Sequence, residues 1–266
     1  MGRADYHAFP FVFLLVFCHI KAVVLSIHQT PAIMLIVNFC LLYGALFAVI
    51  MFAYSRTQKV NDQLPRNGLF MLYSGLLLWT IYLIVLDHSG VLRQMLNPPR
   101  IPLFVILPAF VFIAWFYATG KHRPFTQSIP IWQPVLTQSF RIGVEFLILG
   151  IYLKGIGPVQ ATFEGYNFDI VSGLLAIPVA WLLYRKAGIA RAATWTWSIL
   201  SLLLLANIIF IFNTLVLRPQ MWGFTQNPIS AEFTQMPYLL IAGFYMPFAV
   251  FLHMFTFMQL RKIKAS

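Results

Sequence analysis

The stretch AIMLIVNFCLLYGALFAVIMFAY, residues 32–54, contains no charged side chain and is apolar along almost its whole length. At about 1.5 Å per residue, a helix of this length crosses the roughly 30 Å hydrocarbon core of a bilayer. Because backbone groups in hydrocarbon must be hydrogen-bonded internally, a helix is the conformation such a stretch adopts there. The stretch therefore predicts a transmembrane helix.

Similar apolar stretches recur along the chain. Of its 266 residues, 60% are hydrophobic and only 9% are charged, and the mean hydropathy is +0.80. A soluble domain needs a more polar exterior than this composition can supply. We expect an all-α, polytopic transmembrane helix bundle that forms one domain over residues 1–266. The eight expected spans are residues 9–27, 32–54, 69–87, 102–119, 132–153, 170–185, 195–217 and 237–258.

The basic residues between these spans predict the orientation of the chain. Most of the 18 lysine and arginine residues lie in the two terminal segments and in loops 55–68, 120–131 and 185–194. The alternate loops hold only Arg93, Arg100, Lys154 and Arg218. Because basic loops stay on the cytoplasmic side, both termini are predicted to be cytoplasmic. The net charge of +11 therefore reflects topology. It indicates the lipid bilayer as a partner, and no nucleic acid.

The fourth and eighth spans resemble each other. LPAFVFIAWFYATGKHR, residues 107–123, and MPFAVFLHMFTFMQLRK, residues 246–262, share a proline, a run of phenylalanines and a basic end. One interpretation is a weak parallel repeat of four plus four helices, over about 1–125 and 126–266, as occurs in some transporters. The alternative is convergence of two unrelated spans under the same membrane composition.

A polar stripe interrupts the fifth span. In TQSFRIGVEFLILG, residues 137–150, Gln138, Arg141 and Glu145 are three and four residues apart. They share one helix face, so the two charged groups are expected to pair. An unpaired charge in the bilayer centre costs about 2.5–3.5 kcal/mol. The stripe predicts either a ligand or proton-relay site, in which Arg141 holds an anionic group, or an interhelical clamp.

The loop after this span is rich in polar residues. TFEGYNFD, residues 162–169, contains Glu164, Asn167 and Asp169. Asp169 immediately precedes the sixth span, where an N-cap is expected, and capping is one interpretation of this residue. The other interpretation places Glu164, Asn167 and Asp169 in an external vestibule above the stripe.

QSFRIGVE followed by FEGYNFD resembles a group of bacterial multi-pass membrane proteins in which a QSFR-x3-E helix precedes an F-x-G-x-NFD loop. The resemblance covers about residues 137–175. It implies a bacterial inner-membrane location and no particular activity. It also marks one functional patch, formed by Gln138, Arg141, Glu145, Glu164, Asn167 and Asp169.

Three histidines are candidate ligands for a metal or haem. His19 and His253 lie within the first and eighth spans, and imidazole is a common ligand of both groups. His88, at the outer end of the third span, could join a metal site with Glu164 or Asp169. The alternative is that these histidines are hydrogen-bonded within the core and bind no cofactor.

Three functional hypotheses remain open. The first is a binding or transport bundle for a small molecule, with an outward-opening polar cavity centred on Arg141 and Glu145. The second is a membrane enzyme acting on a lipid, a quinone or a metal- or haem-linked substrate, with Glu145 or Glu164 as acid–base. The third is a structural or assembly subunit, whose charges clamp a homo-oligomer or a membrane complex.

Overall fold

The computed structural model describes residues 32–60, 67–95, 99–121 and 123–261. These residues form helices and loops, and no strand occurs among them. We number the α-helices in chain order. They are α1 (Ala32–Val60), α2 (Gly68–His88), α3 (Leu107–Ala118), α4 (Arg123–Ser128), α5 (Trp132–Thr137), α6 (Phe140–Leu153), α7 (Asp169–Tyr184), α8 (Ala190–Leu217) and α9 (Met246–Leu260).

The predicted all-α class is confirmed for the described residues. Five helical segments are long and apolar enough to cross a membrane: Ile33–Lys59, Gly68–His88, Trp132–Leu153, Ala190–Leu217 and Ile241–Leu260. Two shorter apolar helices, Pro102–Ala118 and Asp169–Tyr184, match the fourth and sixth expected spans. The first expected span, with His19, lies outside the described residues.

The fifth expected span forms the centre of the bundle. In the apolar part of Trp132–Leu153, 89% of the residues are buried, against 6% in α2 and 28% in each of α1 and α8. α5 packs on α7 and α9, and α6 packs on α1 and α7. The polar stripe of this span, Gln138, Arg141 and Glu145, is therefore buried in protein. By contrast, Phe70 and Leu78 of α2 are largely exposed, as expected of a surface that meets lipid.

The fourth and eighth spans share a local irregularity. A π-helical turn, Pro102–Ile106, leads into α3, and a second, Ile241–Tyr245, leads into α9. In each case a proline follows two residues after the turn, Pro108 or Pro247. Proline has no N–H, so it leaves a carbonyl of the preceding turn without its helical donor. Both spans therefore have a π-helical turn followed by a proline. The predicted duplication of four helices stays a prediction.

Two side chains of α2 bond to carbonyls in these irregular turns. The hydroxyl of Tyr82 donates to the carbonyl of Phe104, four residues before Pro108, at 2.7 Å. The indole N–H of Trp79 donates to the carbonyl of Gly243, four residues before Pro247, at 2.8 Å. In a low-dielectric bundle an unmade backbone hydrogen bond is costly, so these contacts fasten α2 to both irregular spans.

Candidate functional site

The buried ion pair of the bundle joins Arg141 to Asp169. The Nε of Arg141 donates to Oδ2 of Asp169 at 2.8 Å, and its Nη2 donates to Oδ1 of the same carboxylate. Both side chains are almost fully buried. This two-point contact is the strongest geometry available to a guanidinium and a carboxylate. It ties the first turn of α6 to the first residue of α7.

The other guanidinium donors reach two more helices. Nη1 donates to Oγ of Ser172 at 2.5 Å and contacts Nε2 of His253 at 3.3 Å. Nη2 also donates to the carbonyl of Ser201 at 3.2 Å. All five N–H groups of Arg141 thus have an acceptor. Because arginine only donates, Nε2 of His253 accepts, and the ring proton of a neutral His253 is on Nδ1.

Glu145 has a different partner from the one expected. Its Oε2 accepts a hydrogen bond from Nδ2 of Asn167 at 2.6 Å. The predicted pairing of Arg141 with Glu145 is therefore corrected. The start of α7 brings Asp169 to the guanidinium instead, and α7 lies close enough for both oxygens of that carboxylate to bond. Glu145 is 1% exposed, so it is a second buried carboxyl group in the same region.

Asn167 organises the loop between α6 and α7. Its Nδ2 also donates to the carbonyl of Ala161 at 3.1 Å, and its Oδ1 accepts the backbone N–H of Asp169 at 3.1 Å. Asp169 is therefore not the N-cap of α7, as one interpretation had it. It is the first helical residue, and Phe168 occupies the N-cap position without a side-chain bond. A negative charge in this first turn is also favoured by the helix dipole.

The six predicted site residues do not all meet. Gln138, Arg141, Glu145, Asn167 and Asp169 are buried within one region, whereas Glu164 is exposed. Gln138 donates from Nε2 to the carbonyl of Ala249, one turn before His253 on α9, at 2.9 Å. Glu164 lies in a turn in which the N–H of Gly165 donates to the carbonyl of Thr162 at 3.0 Å, and its side chain is exposed.

Ser172 and Ser201 were not among the residues predicted from the sequence, and His253 was considered as a cofactor ligand or, alternatively, as a hydrogen-bonded core residue. Ser172 Oγ donates to Ser201 Oγ at 2.6 Å, which links α7 to α8 beneath Arg141. A signal for Ser172 exists, since it follows Asp169 by three residues and shares its helix face. Nothing in the sequence indicates Ser201, which lies on another helix.

A glycine allows the close approach of α6 and α7. A methyl group built on Gly173 would lie 2.8 Å from Cγ1 and 3.0 Å from the backbone N of Ile142. Gly173 and Ile142 follow Ser172 and Arg141 directly in the chain. The missing side chain at this contact therefore sets the distance at which Arg141 reaches Asp169 and Ser172. Small residues at helix contacts in membranes commonly have this role.

Three buried polar atoms near this region have no partner among the described residues. They are Oε1 of Gln138, Nδ1 of His253 and Oγ of Ser198. The ring of His253 packs against Trp197 at 5.1 Å between centroids, and the indole N–H of Trp197 donates to the carbonyl of Ser172 at 3.0 Å. On the side of the cluster that faces α9, polar atoms therefore have hydrogen-bonding capacity that no described side chain uses.

The described ranges contain no group of three or more histidine, cysteine, aspartate and glutamate residues arranged to hold a metal ion. His88 is exposed, and its Nδ1 lies 3.0 Å from the carbonyl of Ile84 in its own helix. Its neighbour Asp87 accepts the backbone N–H of Met236 at 3.1 Å. The predicted ligand set of His88 with Glu164 or Asp169 is therefore not assembled.

A cavity of about 110 Å³ lies elsewhere in the bundle. It is bounded by the π-turn Pro102–Ile106, the second half of α8 and the π-turn Ile241–Tyr245. None of the six predicted site residues lines it.

The fold and composition are those of an α-helical membrane protein with a buried polar cluster. Residues 98–261 match the family model described as a domain of unknown function, DUF8737, and the chain belongs to this family. The matched part contains the whole cluster, whereas α1 and α2 precede it. No curated protein and no solved structure matches the chain.

Proposed function

We propose that the protein is a multi-pass protein of the bacterial inner membrane, with eight spans and both termini in the cytoplasm. The alternation of basic and non-basic loops supports this orientation. The positions of the described helices support the spans from the second onward.

Accessibility of single cysteines tests this topology. The background replaces Cys18 and Cys40 with serine, and single cysteines are introduced at Lys121 and Gln220, both exposed in loops. In intact cells, a membrane-impermeant maleimide is expected to label Gln220→Cys and not Lys121→Cys. After the cells are opened it labels both. The reverse pattern, or labelling of both in intact cells, would rule out the proposed threading.

Within this bundle, we propose that the small species the protein binds and transports is the proton, and that Glu145 carries it. One observation carries the proposal: the buried region holds two carboxyl groups and one guanidinium. Asp169 occupies the guanidinium on two points, while the contact of Glu145 is with the neutral amide of Asn167. An ionised carboxylate without an ion-pair partner is expensive inside a membrane bundle, and a bound proton removes that cost.

This assignment separates the roles of the two charged residues on α6. Arg141 has no donor left for a ligand, so its role is to hold α6, α7, α8 and α9 together. Glu145 is the group whose charge can change without breaking the ion pair. Polar contacts extend from it toward the predicted outer surface through Asn167, which is in the same loop as the exposed Glu164. The proposed exchange of protons is therefore with the outer face.

Infrared spectroscopy tests whether Glu145 carries the proton. Wild-type protein in bicelles is expected to show the band of a protonated carboxyl group, and Glu145→Gln should lose it. Glu164→Gln is the matched control, since it makes the same chemical change on an exposed carboxylate and should retain the band. A band that persists in Glu145→Gln would contradict the assignment.

Proteoliposomes give a second and functional measurement. The protein is reconstituted with an entrapped pH-sensitive dye, and proton entry is driven by a potassium diffusion potential set with valinomycin. Flux above that of empty vesicles is expected for wild type and Glu164→Gln, and its loss for Glu145→Gln. Equal flux in all three proteins, or flux no higher than in empty vesicles, would refute transport through this site.

A structural role for the cluster is the second candidate, favoured by one specific observation. All five N–H groups of Arg141 are bonded within the chain, across four helices. Such saturation is what an interhelical clamp requires. The clamp alone predicts that wild-type protein gives no proton flux above that of empty vesicles, so that Glu145→Gln has no flux to abolish.

A further inference from the structure

The apolar cavity between α8 and the two π-turns has no part in the proton proposal. Its walls are formed by aliphatic and aromatic side chains, among them Ile101, Ile106, Ile209 and Phe212. A polar side chain at its wall, Asn213, already donates from Nδ2 to the carbonyl of Ile209 at 2.7 Å. Apolar cavities of roughly this size stay dry and take up apolar guests, because water finds no partners in them.

The cavity opens on the surface that a bilayer would cover. Leu217, at its edge, is 50% exposed, and Ile209, Phe212 and Val216 of the same helix are partly exposed. Neighbouring Phe210 is also exposed, so this side of α8 presents apolar groups outward. In a membrane the medium at such an opening is hydrocarbon. The guest available there at highest concentration is therefore a lipid chain.

Two basic residues are adjacent in the chain to residues that line the cavity. Arg218 directly follows Leu217, and Arg100 lies between Pro99 and Ile101, which both line the cavity. Nη1 of Arg100 donates to the carbonyl of Val91 at 2.7 Å, and its Nη2 donates to Gln94, which fixes the guanidinium in place. Arg218 is exposed. Two cations are thus next in the chain to the lining of an otherwise apolar recess.

These cations lie where topology disfavours them. Arg100 and Arg218 are among the few basic residues in the loops predicted to be external, where lysine and arginine are depleted. A binding role explains their presence, because basic pockets beside transmembrane helices recognise anionic headgroups. One carboxylate lies nearby, because Glu232 is exposed on the short helix Ala231–Thr234. Arg93 lies on the turn that packs against that helix, so the net charge of this region stays positive.

We propose that this cavity binds a segment of one acyl chain of an anionic phospholipid, whose phosphate is held by Arg218 and Arg100. Lipid enters laterally from the outer leaflet, between α8 and the Pro102–Ile106 turn. A segment of the chain fills the dry recess, and the headgroup stays at the membrane surface beside the two guanidinium groups. This site is separate from Glu145, so either proposal can fail without the other.

Native mass spectrometry of the delipidated full-length protein tests the headgroup. The protein is offered phosphatidylglycerol and phosphatidylcholine with identical chains. Wild type is expected to retain phosphatidylglycerol preferentially, and Arg218→Gln to lower that preference about fivefold, the effect of one basic residue at an anionic surface. Lys154→Gln, which removes another basic charge predicted to be external, should leave the preference unchanged. Equal retention of both lipids by wild type, or equal losses in the two variants, would overturn the proposal.

Filling the cavity tests the acyl chain. Ala242 lines the recess, so Ala242→Phe should abolish retention of either lipid, while Ala192→Phe, on an exposed face of the distant end of α8, should not. Gel filtration and circular dichroism check that each variant is folded, and Ala242→Leu is the smaller replacement if Ala242→Phe is not. A folded, cavity-filled variant that keeps its lipid would place the lipid elsewhere and refute the site.

Discussion

Removing the buried ion pair in two steps is the sharpest test of the cluster. In the Arg141→Met protein, Asp169 is left as a buried carboxylate without its two charge-assisted hydrogen bonds. In Asp169→Leu, Arg141 is left without its counter-charge. Breaking a buried pair by removing one partner costs about 3–5 kcal/mol. The two lost bonds give a similar figure, at about 1.5–3 kcal/mol each.

The double variant is expected to recover most of this loss. With both charges gone, the two introduced apolar side chains would pack against each other, and such replacement of a buried pair is often close to neutral. The remaining deficit is the unmet bonding of groups that Arg141 contacted. Nε2 of His253 loses its donor, at about 1–3 kcal/mol, while the bond between Ser172 and Ser201 survives. A loss of about 1–3 kcal/mol is therefore expected, well below the sum of the single variants.

Glu145→Gln is the matched control for this experiment. Its amide oxygen can still accept from Asn167, so the free energy of unfolding should change by less than about 1 kcal/mol. Unfolding in mixed micelles is followed by circular dichroism and tryptophan fluorescence. If Glu145→Gln destabilised the protein as much as Asp169→Leu, Glu145 would be the partner of Arg141. If the double variant cost the full sum, the two residues would not be coupled.

Two further predictions concern helix contacts. Gly173→Ala should destabilise the protein by about 1–3 kcal/mol, because its new methyl group meets backbone and side-chain atoms across the contact. Gly44→Ala, where nothing lies within 4 Å, should cause no loss, and equal effects in thermal unfolding would contradict the close-approach argument. Trp79→Phe should cost about 1–3 kcal/mol, since it leaves the carbonyl of Gly243 unsatisfied. In a Pro247→Ala background, the restored backbone N–H can donate to that carbonyl, so Trp79→Phe should destabilise the protein less. An equal loss of stability in both backgrounds would show that Pro247 is not the reason why the carbonyl needs Trp79.

The sequence predicted the helices well where apolar length alone decides them. The spans expected at 32–54, 69–87 and 195–217 correspond to α1, α2 and α8, each of which extends beyond the expected bounds. The span expected at 132–153 is divided in the structure, because α5 ends at Thr137 and α6 begins at Phe140. The break falls at Gln138 and Ser139, inside a stretch whose average hydropathy is still that of a single membrane span.

The sequence predicted which residues are buried at the site better than it predicted which of them bond to each other. Helical spacing predicted that Gln138, Arg141 and Glu145 lie together; all three are buried, although Gln138 lies in the break before α6. The same spacing suggested the wrong counter-ion, because a residue four positions away is only one of several candidates. Asp169 is 28 positions away in the chain and becomes the partner through packing of α7 on α6.

By itself, the sequence determined that this chain forms long apolar helices and that charged groups are placed inside them. The reason is local: hydrocarbon requires each segment to satisfy its own backbone, whatever its neighbours are. Only the tertiary structure decided which of the two buried carboxylates binds Arg141 and which is left to an amide. That choice depends on the distance between α6 and α7 at Gly173, and on serine and histidine side chains from two further helices. Such distances are set by packing between segments far apart in the chain, so no local pattern contains them.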